Sequence, residues 1–176
     1  MPSTVPLFAA ALLASAPVFA SEVVPVQGFR TIQLRGGGVV DVVPGPAQRV
    51  TIVEGSSQFT RVHLEREGRL VIDTCNERCP HNYRLRIQIQ SPHVPDLAID
   101  GGGVMAARGG FAPQSHLSTA VNGGGTIDAR AIEAASVSAA VNGGGQLLVR
   151  ARQSLSAAVN GGGHVRYWGN PATSVA

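Results

Sequence analysis

Lysine is missing from this chain, and all fourteen of its basic residues are arginine. The formal net charge is only +3, without basic blocks or interleaved aromatics, so nothing in the composition points to nucleic acid. Aromatic residues make up 5% and charged residues 14%, which forces any core to be built from small aliphatic side chains. With 22 glycines alongside, that composition suits a narrow, stacked core better than a globular one. No window carries a helical period of useful length, so the chain is expected to be all-β. The five histidines (His63, His81, His93, His116, His164) have no paired metal-ligand spacing and read as surface or turn residues. The acids Asp41, Asp128 and Glu133 are scattered rather than gathered with a basic residue on one face. No catalytic residue, cofactor or metal site is therefore expected.

The first twenty residues lack charge as well. Met1 to Ala20 has an apolar run from Val5 to Leu13 and ends Val18-Phe19-Ala20, with small residues at the two positions a signal peptidase reads. This predicts a cleaved signal peptide at 1–20 and a single exported domain at 21–176. Pro17 would break a spanning helix, and no membrane span is expected after cleavage. No cysteine follows the cleavage point to carry a lipid.

What is abundant is one phrase written three times: Ser118-Thr-Ala-Val-Asn-Gly-Gly-Gly, Ser138-Ala-Ala-Val-Asn-Gly-Gly-Gly and Ser156-Ala-Ala-Val-Asn-Gly-Gly-Gly. Leu97-Ala-Ile-Asp-Gly-Gly-Gly and the more distant Ile32-Gln-Leu-Arg-Gly-Gly-Gly precede it, and the glycine-rich repeats span 97–168. Asn122 to Asn142 is 20 residues, Asn142 to Asn160 is 18, and Asp100 lies 22 before Asn122. A hairpin meander has no need of such equivalence. A parallel coil does, because each turn returns to the same place about 4.8 Å higher. The reading is a right-handed parallel β-helix with coils of about 18–22 residues.

Upstream, alternating apolar positions predict strands at 31–35, 39–43, 49–53, 61–64, 69–73 and 83–90. The 65 residues from Gly36 to Gly101 are close to three later repeats, which leaves room for glycine-poor turns of the same coil. Counting from each triplet, Val40, Met105, Ile127, Leu147 and Val165 should point inward, as should Val42, Ala107, Ala129, Val149 and Tyr167. The residues between them, Val39, Val104, Thr126, Gln146 and His164, then Asp41, Ala106, Asp128, Leu148 and Arg166, should point outward. Leu34, Ile99, Val121, Val141 and Val159 form another inward column. Asp100, Asn122, Asn142 and Asn160 sit beside the glycine corner, where carboxamides can donate to one neighbour and accept from the next. They are expected to form a structural ladder with Asp100 at its base.

The recurring Asn-Gly-Gly-Gly, the β-rich leader and the ending Gly163-His-Val-Arg-Tyr167-Trp-Gly169-Asn-Pro171 together resemble the head GIN domain family, described as autotransporter adhesins. The likeness runs from about Phe29 to Pro171. It implies a right-handed β-helical domain in exported bacterial proteins, with no established ligand or catalytic residue to carry over. The chain departs from the family's common form: Gly-Gly-Gly stands where Gly-Ser-Gly or Gly-Ala-Gly with a following Asp is usual, and a cysteine pair is added. Calcium-binding nonapeptides are excluded, because Asn122-Gly-Gly-Gly-Thr-Ile-Asp128 lacks the glycine before the acid, and Leu148 and Arg166 replace that acid in later repeats.

A non-enzymatic binding or adhesive module of the cell envelope is therefore expected, ahead of a β-helical lyase or hydrolase acting on polysaccharide. Cys75 and Cys79 are expected to form a disulfide, contributing about 2 kcal/mol because the loop is so short. The fifth residue after each triplet is Arg108, Arg130, Arg150 and then Trp168. Such a cation column has to be exposed or paired with acids such as Asp128 and Glu133, and it forms the candidate surface for an anionic envelope polymer or surface glycan. The columns Ser118/Ala120, Ser138/Ala140 and Ser156/Ala158 make a flat face suited to a second copy, so a homo-oligomer is also expected.

Overall fold

The computed structural model describes residues 21–176; the expected signal peptide lies outside the described residues. Alternation and turn residues yield short strands: β1 (Glu22–Val24), β2 (Thr31–Gly36), β3 (Val39–Pro44), β4 (Arg49–Glu54), β5 (Arg61–Glu65), β6 (Arg69–Asp73) and β7 (Arg86–Ser91). The repeats supply β8 (Asp96–Gly101), β9 (Val104–Ala107), β10 (Gln114–Gly123), β11 (Thr126–Asp128), β12 (Ala134–Gly143), β13 (Gln146–Asn160), β14 (His164–Trp168) and β15 (Ala172–Val175). Between β5 and β6 lies a single 3-10 turn, Arg66–Gly68. All six strands expected upstream are present, although the last begins at Arg86 rather than Tyr83.

The strands form one mixed sheet in the order β1-β4-β7-β3-β9-β11-β13-β12-β10-β8-β2-β6-β5, with β14 and β15 both attached to β13. The first part of β13 pairs with β11 and β14, and its second part with β12 and β15. This one strand therefore joins the two halves of the path into a nearly closed, barrel-like sheet around a common core. The pairs β1·β4, β4·β7 and β5·β6 are antiparallel, and the others are parallel.

The right-handed parallel β-helix expected from the repeats is thus corrected to a mixed, barrel-like sheet. The repeats specify that like residues of neighbouring strands stand in register, and a parallel pair inside a mixed sheet satisfies that as well. Strand direction in 49–73 has no repeat to reveal it. The expected turns between Gly36 and Gly101 are also absent: β2 pairs directly with β8, placing Gly36 opposite Gly101, while β4 to β7 lie farther out along the sheet.

The core follows the columns. Val40, Met105, Ile127 and Leu147 are fully buried and in register, as are Leu34, Ile99, Val121 and Val141. Burying such a side chain contributes about 1.5–3 kcal/mol. Val165 and Val159, the last members, are half-buried, and Tyr167 is 48% exposed instead of inward, because no strand beyond β14 covers it. Ala106, expected outward, is buried where it lies in register between Asp41 and Asp128.

Cys75 and Cys79 are joined by a disulfide with their Cα atoms 5.9 Å apart, in the loop after β6. Beside it, the Tyr83 hydroxyl accepts from the Ser56 N–H at 2.9 Å and lies 2.8 Å from the Thr60 hydroxyl, tying this loop to the β4–β5 connection.

Candidate functional site

Strands β9, β11, the first part of β13 and β14 lie side by side, and residues at one end of this row line a recess of about 460 Å³: Ala107, Arg108, Asp128, Arg130, Arg150 and Trp168 among them. All four members of the expected cation and aromatic column are therefore brought together, and all four are exposed. Trp168 stands opposite Arg150 in register. Arg130, however, is the residue whose guanidinium lies over the Trp168 ring, 5.3 Å from its centroid, within the range of a cation–π contact.

The three arginines differ in what holds them. Arg108 Nε is 2.5 Å from Asp41 Oδ1, while Arg86 Nη1 takes the other oxygen of that carboxylate at 3.0 Å. The Asp41 side chain is only 13% exposed, so it is a shielded partner for two cations. Arg130 forms a two-pronged pair with Asp128, Nε to Oδ1 at 2.9 Å and Nη2 to Oδ2 at 2.6 Å, and its backbone N–H also donates to Oδ1. These hydrogen bonds from Arg130 hold the Asp128 carboxyl below the usual carboxylate range. Arg150 has no carboxylate within ion-pair distance among the described residues. The cause is local: Asp128 precedes Arg130 by two residues on the same face, whereas Leu148 takes that place before Arg150. Of the acids expected to neutralise the column, Asp128 does so and Glu133 does not. Glu133 accepts from Arg152 Nε at 3.0 Å.

Sequence reasoning missed Asp41 as a partner of the column. It reaches Arg108 across 67 residues of chain, through the β3·β9 pairing, which the expected topology did not contain. The absence of an acid two residues before Arg150 was visible in the sequence, but Ala106 gives Arg108 the same absence, and only the β3·β9 pairing separates the two arginines.

The carboxamide row lies elsewhere, at the glycine corner. Asn142 Nδ2 donates to Asn122 Oδ1 at 2.9 Å, and Asn122 Nδ2 donates to Asp100 Oδ1 at 2.8 Å. Asp100 also accepts from Gln33 Nε2, so the row continues onto β2 instead of ending at Asp100. Asn160, in register with Asn142, makes no such side-chain bond among the described residues. Asn142→Ala is therefore expected to cost about 1 kcal/mol more than Asn160→Ala in urea unfolding. Equal shifts of the two midpoints would show that the row is not stabilising.

Among the described residues, no three His, Cys, Asp or Glu side chains converge as a metal site would require. His63 is half-buried between Glu65 and Asp73, and the other four histidines are exposed. Among the described residues, no helix is long and apolar enough to cross a membrane.

The fold and the recess together define an all-β module built of small-residue repeats that presents an arginine-rich, tryptophan-edged surface. Residues 113–171 match the family model described as "Putative auto-transporter adhesin, head GIN domain", so the repeat region is similar to that family. The fold is shared with the crystal structure of a "putative adhesin" from Bacteroides fragilis NCTC 9343, at a TM-score of 0.56 and 19% identity over 89% of this chain and 91% of that one. A "putative adhesin" from Parabacteroides merdae ATCC 43184 aligns at a TM-score of 0.39 and 11% identity, over 89% of this chain and 91% of that one. A "putative lipid binding protein" from Parabacteroides distasonis ATCC 8503 aligns at 0.34 and 16%, over 89% and 92%. Both are too distant in shape to bear on this chain. No curated protein sequence matches it.

Proposed function

We propose that the chain is a non-enzymatic binding module of the bacterial envelope, exported to the periplasm or cell surface, and that the recess on β9, β11, β13 and β14 holds an acidic envelope polymer or surface glycan. The observation that carries this reading is Arg150, an exposed guanidinium without a carboxylate partner among the described residues, set beside the 40% exposed Trp168. A guanidinium left unpaired beside an aromatic ring is suited to an anionic, ring-bearing ligand: the fork takes an oxyanion and the indole packs on a sugar face. The description of the family as adhesins agrees with a role in binding.

Charge reversal tests it. Arg150→Glu is expected to weaken binding to immobilised acidic polysaccharide by about tenfold or more, with an unchanged melting temperature. Unchanged binding removes the site. Arg130 is the poorer probe, because reversing it also strips Asp128 of its partner.

Self-association is a separate part of the proposal. β14 and β15 each pair only with β13 among the described residues, leaving free backbone groups on their outer edges beside the exposed Tyr167 and Val175. Uncovered edges of this kind pair with another chain. Light scattering is expected to show a dimer or larger species, and a monomer at high concentration would dismiss this part.

A further inference from the structure

Of the three guanidiniums that line the recess, one has no carboxylate partner among the described residues. Arg108 shares Asp41 with Arg86 and Arg130 pairs with Asp128, while Leu148 occupies the register position from which a further acid would reach Arg150. Arg166, the next cation along the face, does not line the recess. We infer that the recess takes one carboxylated sugar unit, of the uronic acid type, with its carboxylate on Arg150 and its ring against Trp168. This rests on the binding role proposed above and narrows it from acidic polymers in general to a single carboxylate.

Three features of the site select that ligand. A guanidinium presents a planar, two-pronged donor set that matches a carboxylate. The carboxylate of Asp128 is part of the same wall, fixed by two side-chain bonds from Arg130 that hold it below the usual carboxylate range. It therefore opposes a polymer with several anions on each ring more than a ligand with a single carboxylate on each ring, which can be placed on the Arg150 side. At about 460 Å³ the recess falls in the lower part of the range for ligand sites, room for roughly one or two sugar rings rather than a long polymer segment.

The test is calorimetric titration of the purified exported chain with trigalacturonate, its carboxyl-reduced counterpart and dextran sulfate. Trigalacturonate is expected to bind, the carboxyl-reduced form to bind at least about tenfold more weakly, and dextran sulfate to bind more weakly than trigalacturonate. Leu148→Asp supplies the missing acid two residues before Arg150, as Asp128 does for Arg130. It is expected to weaken trigalacturonate by about tenfold while Arg150 and the melting temperature are kept, with Leu148→Asn near the parent as the uncharged control. Tighter, steeply salt-dependent binding of dextran sulfate, with only a small effect of Leu148→Asp, overturns the single-carboxylate inference and leaves the binding role standing. Absence of binding to any of the three probes, together with acidic-polysaccharide retention indifferent to Arg150→Glu, overturns both.

Discussion

Gly143→Ala is expected to destabilise the protein by about 3 kcal/mol, whereas Gly144→Ala should leave stability within about 0.5 kcal/mol of the parent or raise it slightly. The two residues are neighbours in one triplet, and the change is one methyl group in each. Gly143 has φ near 115°, a region an L side chain rarely adopts, and an added Cβ would lie 2.7 Å from the Gly123 carbonyl oxygen on the adjacent strand. That oxygen belongs to backbone held in the β10·β12 ladder, so it cannot move aside without breaking register. Around Gly144 an added Cβ would meet nothing within 4 Å, and its φ is ordinary. Urea unfolding of both variants measures the difference. Coincident midpoints would mean that the corner has more room than the structure shows. The same geometry bears on the way this chain departs from the usual form of the family it resembles. An added Cβ at the middle glycine of each triplet meets nothing within 4 Å, so the serine or alanine common elsewhere would fit there, whereas at the third position, as at Gly145, it would lie 2.8 Å from the Gly125 carbonyl oxygen.

Much of the repeat region is legible in the amino-acid sequence itself. A repeat that returns Val-Asn-Gly-Gly-Gly three times can only be satisfied by strands in parallel register, and Asn122, Asn142 and Asn160 do stand opposite one another. The buried columns follow from counting alternate residues away from each triplet. Topology outside the repeats is not legible in this way, because alternation reports which face of a strand is buried and says nothing about the direction of its neighbour. Hence the antiparallel β4 and β5, and the direct meeting of Gly36 with Gly101, could not be foreseen. The cation column was legible as a set of residues but not as a set of charges. The Asp128–Arg130 pair is local, two residues apart, while the Asp41–Arg108 pair depends on β3 lying beside β9. Gln33 joins the carboxamide row for the same reason: its place opposite Ala98 follows from the β2·β8 pairing, and no feature of the repeat predicts it.

Leu147→Ala should cost about 2–5 kcal/mol, while Val165→Ala, one strand farther along the same column, should cost about 1 kcal/mol or less. Leu147 is fully buried, with Ile127 in register on one side and Val165 on the other, so truncation leaves a cavity bounded by backbone that cannot close. Val165 is already half-buried, and β14 has no further neighbour, so water can fill the space its methyl groups leave. The position of Leu147 in the chain adds a second expectation. It lies near the start of β13, the fifteen-residue strand that is hydrogen-bonded into both halves of the sheet. Loosening it therefore weakens both halves together. The Leu147→Ala protein should still unfold in one transition, with Trp168 fluorescence and far-ultraviolet circular dichroism giving the same lowered midpoint. If fluorescence at Trp168 moved first and the dichroism followed at the parent midpoint, β13 would be acting as two strands joined by a bend. The common core drawn from the single sheet path would then have to be divided.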